Sequence, residues 1–259
     1  MTLVLTGLIL GLPTAVTMKI RSMQSPLHSL YKLGFFSLYS VRLNLIVGLL
    51  LSLGWVSGHA QGLTVQLDDS EGNPISGAVV EIILPEEMRS TYQLSDETEV
   101  DQLDKEFVPH ISTVVSGSDV MFPNSDDILH HVYSFSPIST FNIPLYGKGT
   151  QNDYSHRFSE TGVVEIGCNI HDWMLAYIYV AQTTLNSISD DSGQATLENV
   201  PSGTFELRIW HSRLKEQDIA MTQTIEFVDG EKTVIEYTLE LERDRRVRRA
   251  PSSNRTRYR

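Results

Sequence analysis

Val163-Val164-Glu165-Ile166-Gly167-Cys168-Asn169-Ile170-His171-Asp172-Trp173-Met174 decides how this chain is read. Its first half is β-rich, and side chains alternate along a strand, so Val164, Ile166 and Cys168 share one face. The strand ends on the only cysteine of the chain, with a histidine three residues on and a methionine three beyond that. Thiolate, imidazole and thioether make a soft donor set, which suits copper better than calcium or magnesium. Leu175 to Val180 is apolar and β-rich, a second strand leaving the site.

Outward from this stretch, the chain reads as short strands punctuated by turns. Thr64 to Leu67 and Ala78 to Leu84 flank the turn cluster Asp69-Ser70-Glu71-Gly72-Asn73-Pro74. Residues 85–97 are polar and acidic and read as a linker. Phe107 to Val115, Val120 to Phe122 and His131 to Phe135 are strand-like, whereas 137–156, with Pro137, Pro144, Gly147 and Gly149, reads as an irregular crossing. Later strands are expected at Ala195 to Leu197, Phe205 to Trp210, Thr222 to Val228 and Thr233 to Leu239. Many short strands with no helical periodicity predict an all-β chain built from β-sandwiches.

The first sixty residues have a different character. Lys19, Arg21, Lys32 and Arg42 precede the apolar run Leu43 to Val56 and then Gly58-His59-Ala60, the layout of a secretory signal cleaved after Ala60, with Met18 or Met23 as alternative starts. The run is shorter than the roughly 20 residues of a spanning helix, so no stable membrane insertion is expected after cleavage. The net charge is −12; the first sixty residues carry +4 and the arginine-rich tail 243–259 carries +7, which leaves −23 on residues 61–242. So acidic a body repels nucleic acid and anionic lipid, and the tail reads as a solvated, disordered end. Export to an oxidising periplasmic or extracellular space makes an unpaired cysteine notable. It is either buried and inert or bound to a metal.

A further histidine would complete the donor set, and His130-His131 opens the strand that follows Phe122-Pro123-Asn124-Ser125-Asp126-Asp127-Ile128-Leu129. Asn124-x-Asp126-x-x-x-His130, followed by Val132, resembles the first copper-ligand segment of the cupredoxins, the plastocyanin and amicyanin group. Phe158, Gly162 and Val164 leading to Cys168-x-x-His171-x-x-Met174 resemble the second, with the loop length of amicyanin. The resemblance covers roughly residues 97–182, and similar proteins are often labelled methylamine utilisation proteins. It implies a Greek-key β-sandwich holding one type 1 copper, with His130, Cys168 and His171 as close ligands and Met174 as a weak axial one. His131 stands where the family usually has an asparagine that tethers the ligand loops; it either ties them from behind or is itself the ligand. Alternation sends the two rings opposite ways, and the Asn124–Asp126 spacing favours His130. Asp172 stands where many relatives have proline. His110, His156 and His211 are scattered and are expected on the surface.

The function implied is one-electron transfer in the periplasm, through His171, to a redox partner such as a cytochrome or a dehydrogenase with a basic docking face. The alternatives are a copper carrier and a non-redox zinc site, since zinc also accepts Cys-His-His. No motif supplies a general base and substrate cleft, so no enzyme is expected. Asp69-x-x-Gly72-Asn73-Pro74 to Val80, with Asp191-Ser192-Gly193 to Phe205, resembles transthyretin-like, carboxypeptidase regulatory-like β-sandwiches. That likeness implies an accessory sandwich made of residues 61–90 and 183–242, split by the cupredoxin segment 97–182; the alternative is a tandem arrangement with the first hairpin packed on the cupredoxin.

Overall fold

The computed structural model describes residues 19–20, 62–93, 98–149, 154–214 and 221–243. The expectations for the leader 1–60 and for the arginine tail lie outside these residues, apart from the strand β1 (Lys19–Ile20) and Arg243. Among the described residues no helix is long and apolar enough to cross a membrane.

The chain is all-β, as its alternating pattern requires. After β1 come β2 (Gly62–Asp69) and β3 (Val79–Ile83). A short helix α1 (Glu86–Arg89) and a 3-10 turn (Ser90–Tyr92) then take up much of the span expected as linker. Ten strands follow: β4 (Thr98–Glu99), β5 (Asp101–Leu103), β6 (Glu106–Val108), β7 (Ile111–Val115), β8 (Ser118–Met121), β9 (His130–Ser136), β10 (Ser139–Tyr146), β11 (Ser155–Phe158), β12 (Gly162–Cys168) and β13 (His171–Ala181). The last five are β14 (Asn186–Ile188), β15 (Gln194–Glu198), β16 (Gly203–Trp210), β17 (Met221–Phe227) and β18 (Lys232–Leu239).

Pairing separates these strands into two groups. Strands β4 to β13 form a five-stranded sheet in the order β10-β9-β12-β13-β7, a three-stranded sheet β11-β8-β4 and the hairpin β5-β6. The other group forms the sheets β1-β18-β2-β15 and β14-β3-β16-β17. Each group closes over its own apolar core. Val120 and Phe158 of the smaller sheet face Val132, Val164, Ile166, Ala176 and Ile178 of the five-stranded sheet. In the second group, Leu63, Val65 and Leu67 of β2 meet Val80 and Ile82 of β3 and Leu207 and Ile209 of β16.

Residues 137–156 are not the irregular crossing their prolines and glycines suggest. Its first half is largely β10, hydrogen-bonded along β9 from Ser139↔Ser136 to Ile143↔Val132. Pro144 is accommodated because β10 lies at the sheet edge and the register shifts between Ile143 and Tyr146, where a missing backbone N–H breaks no ladder.

Strand β13 is buried on both faces. Met174, Ala176, Ile178 and Val180 enter the first core, while Tyr177, Tyr179 and Ala181 pack with Ile111 against Val79 of β3 and Trp210 of β16. This seam contains one carboxylate. Glu81 is 1 % exposed and accepts hydrogen bonds from the Tyr179 hydroxyl (2.6 Å) and the Gln182 backbone N–H (2.6 Å), with Arg208 Nη1 3.9 Å away. Burial raises its pKa, and the Tyr179, Gln182 and Arg208 contacts oppose that only in part. A carboxyl whose folded pKa is raised contributes most below its unfolded value, near 4.5, and loses that contribution as pH rises through the folded value. Urea unfolding of Glu81→Gln beside the wild type at a series of pH values should therefore give a stability difference that is flat in acid. It should shift in favour of the variant as pH climbs above about 4.5. A difference independent of pH would mean that Glu81 titrates alike in both states.

Candidate metal centre

Three of the four donors expected from the sequence, His130, Cys168 and His171, converge at the ends of β9 and β12 and the start of β13. Strand β9 begins at His130, and its alternation buries His130, Val132 and Ser134 while His131, Tyr133 and Phe135 lie on the other face. Strand β12 ends at Cys168. Asn169 and Ile170 make a two-residue turn, and Cys168 pairs with His171 at the start of β13. The next pair is Gly167↔Leu175, so Asp172, Trp173 and Met174 form a bulge between these two pairs. That bulge is the loop counted in the sequence.

Gly167 has a separate task. It pairs with Tyr133 on β9, and a Cβ there would lie 3.0 Å from the Tyr133 ring and its hydroxyl oxygen. The missing side chain lets β9 and β12 close up one residue before the cysteine.

The Cys168 Sγ is 3.9 Å from His130 Nδ1 and 3.7 Å from His171 Nδ1, and the three atoms lie within 4.8 Å of one another. Two donors sharing one ion at about 2.0–2.3 Å each, at angles between tetrahedral and trigonal, would be about 3.6–3.8 Å apart. The observed separations fit that requirement. Cys168 and His130 are buried, His171 is half-buried, and Met174 is buried in the same core as Cys168.

The environment of the two rings sets which nitrogens are free. His130 Nε2–H donates to Asp126 Oδ2 at 2.6 Å, and in the tautomer this bond selects Nδ1 is a lone pair beside the sulfur. Asp126 is itself held. Burial acts to raise its pKa, but N–H donors from Lys105 and Asp104 and the bond to His130 outweigh it and keep the carboxyl below its usual range. Burial first, and then the positive charge of Lys105, lowers the pKa of His171 and favours its neutral form, the one in which a ring nitrogen carries a free lone pair. The Trp173 ring lies 5.3 Å from that of His171.

His131 is not in the cluster. Its Nε2 is 2.7 Å from Asn142 Oδ1 on β10, and its ring lies 5.5 Å from Tyr133. The other three histidines among the described residues correct a sequence expectation, because none sits freely on the surface. His110 Nδ1–H donates to Leu175 O, and its ring meets Tyr177 edge-on. His156 stacks on Phe141 at 4.1 Å, and burial lowers its pKa. His211 is buried, with Nδ1 accepting from the Arg213 N–H. Which side of a strand is covered by another sheet is a long-range fact, absent from the local pattern.

No family model and no curated protein matches the chain. Among solved structures it is similar to a purple cupredoxin from Nitrosopumilus maritimus (22 % identity over 32 % of this chain and 99 % of that one, TM-score 0.30). It is also similar to a proline-to-glycine mutant of amicyanin in its reduced Cu(I) form (20 % identity over 39 % of this chain and 97 % of that one, TM-score 0.29). A third is the copper-containing nitrite reductase NirK from Thermus scotoductus SA-01 (23 % identity, TM-score 0.30), where the match spans 32 % of this chain but only 22 % of the enzyme.

Proposed function

We propose that this protein is a periplasmic one-electron carrier whose single type 1 copper is held by His130 Nδ1, Cys168 Sγ and His171 Nδ1, with Met174 as a distant fourth donor. The observation that carries this reading is the approach of two imidazole Nδ1 atoms to one buried thiol sulfur, at 3.9 and 3.7 Å. A copper ion bound by thiolate and imidazoles supplies a Cu(I)/Cu(II) couple, and a weak thioether tunes its potential.

The residues around it supply the rest. Asp126 keeps His130 in the tautomer that leaves Nδ1 free, and β12 with the tight turn at Asn169–Ile170 fixes Cys168 against His171. Burial of Cys168 and His130 shields them from water and exchange, which favours a resident centre over a copper carrier. Ile128, Leu129, Leu145 and Ile170 flank the ligands in sequence or register and are exposed, while Asp127 and Asp172 lie exposed near them. An apolar face with acidic neighbours suits a partner with an apolar centre and basic rim, such as a cytochrome or a dehydrogenase. We assign residues 97–182 to this carrier module and residues 61–90 with 183–242 to an accessory sandwich that supports it.

The test is titration of the purified chain with Cu(II), followed by visible absorption. One equivalent should produce an intense thiolate-to-copper band. His130→Ala should lose the band, and His131→Ala should keep it, because His131 is committed to Asn142. A colourless chain that takes up stoichiometric zinc in preference to copper would overturn the reading.

A further inference from the structure

The two ligand-bearing segments, residues 124–130 and 168–174, are joined by a third segment that carries no ligand. Strands β5 and β6 form a hairpin whose turn is Asp104–Lys105, both at positive φ (53° and 61°). L side chains rarely adopt this conformation, but two-residue hairpin turns of the primed type require it. In this turn the two backbone N–H groups point the same way. Asp104 N donates to Asp126 Oδ1 (2.8 Å) and Lys105 N to Asp126 Oδ2 (2.9 Å), the oxygen that also accepts from His130 Nε2.

On its other side the same turn accepts a hydrogen bond. Trp173 Nε1–H donates to Lys105 O (3.2 Å), and Trp173 lies beside His171. The loop that presents Asp126 is fastened to the same hairpin: Ser125 N donates to Asp101 Oδ1, and both Ser125 N and Asp126 N donate to Gln102 O. His131, the residue in the right place to tie the ligand loops together, bonds instead to Asn142 of the neighbouring strand.

We propose that the Asp104–Lys105 turn is a positioning clasp, which ties the His130 segment to the His171 segment and holds the His130 ring with Nδ1 free for the metal. It builds on the assignment of His130 and His171 as donors. Asp126 and Trp173 are its two arms. The His130 and His171 rings also lie 5.0 Å apart, so a route through the turn is isolated only by a change that keeps the Trp173 ring against His171 and removes its N–H bond to Lys105 O.

The experiment combines nitrogen NMR of the metal-free chain with copper affinity by chelator competition. In the wild type, His130 should be the Nε2–H tautomer with a slowly exchanging ring proton. Asp126→Asn should expose that proton to exchange and weaken copper binding about 10–100-fold, the range typical for partners behind a ligand. Trp173→Phe keeps an aromatic ring beside His171 but removes the N–H. It should speed exchange of the Asp104 and Lys105 amides and of the His130 ring proton, although it does not reach His130. The double variant should lose less copper affinity than the two single losses combined, because either cut already slackens the turn. A His130 proton indifferent to Trp173→Phe, or strictly additive losses, would overturn the clasp. A wild-type chain that binds no copper yet shows both changes in exchange supports the clasp and sinks the copper assignment alone.

Discussion

Replacing Cys168 by serine is expected to remove the visible band altogether and to lower copper affinity by more than the roughly 100-fold that loss of a supporting partner causes. The argument is chemical. A thiolate is the soft, charged donor of the set, and serine offers a neutral, hard oxygen in its place. The two imidazoles remain, so residual binding should be weak and pale. The fold should survive, since the serine hydroxyl is smaller than the thiol and lies between two ring nitrogens, His130 Nδ1 and His171 Nδ1, either of which can accept its proton. Far-ultraviolet circular dichroism unchanged from the wild type, together with chelator competition, checks both halves. A blue Cys168→Ser chain would mean that the sulfur is not a ligand.

The second large effect is expected outside the His130, Cys168 and His171 cluster. Trp210→Ala should destabilise the chain by about 3–5 kcal/mol, the usual cost of emptying a large buried aromatic site. Trp210 is 1 % exposed and its ring meets Tyr177 at 5.6 Å and Tyr179 at 5.9 Å. It belongs to β16, whereas the two tyrosines belong to β13, the strand that begins at His171. The cavity would therefore open between two sandwiches rather than inside one. Backbones held in separate cores have little freedom to collapse into it, which places the cost toward the upper part of that range. Urea unfolding followed by tryptophan fluorescence and by circular dichroism measures it. A loss under about 1 kcal/mol would mean that the seam contributes little to either module.

Local spacing made Cys168, His171 and Met174 legible, because one strand end, one tight turn and one bulge carry all three. That His130 and His131 face opposite ways was also within reach, since a strand sends successive side chains to opposite faces; which of the two rings is buried beside Cys168 was not. What lay beyond the sequence is what arrives from elsewhere in the chain. Asp126 could be placed by its spacing to His130, but nothing local says that Asp104 and Lys105 donate to it from about twenty residues upstream. A non-glycine pair at positive φ also gives no turn signal of the Asn-Gly kind. Pro144 misled for a related reason: it argues against a strand unless that strand is an edge, and edges are set by the whole sheet.

The pairing of β14 with β3 has one more consequence. Asn186 lies opposite Glu81 and Ile188 opposite Val79, so the chain returns beside the place from which it departed about a hundred residues earlier. In topological terms β3 and β14 are the two legs of an ordinary β-hairpin, and its tip is the entire sandwich that contains the His130, Cys168 and His171 cluster. Trimmed to a few turn residues, it would leave every strand pairing within the outer sandwich in place, and uncover the seam residues Val79 and Trp210.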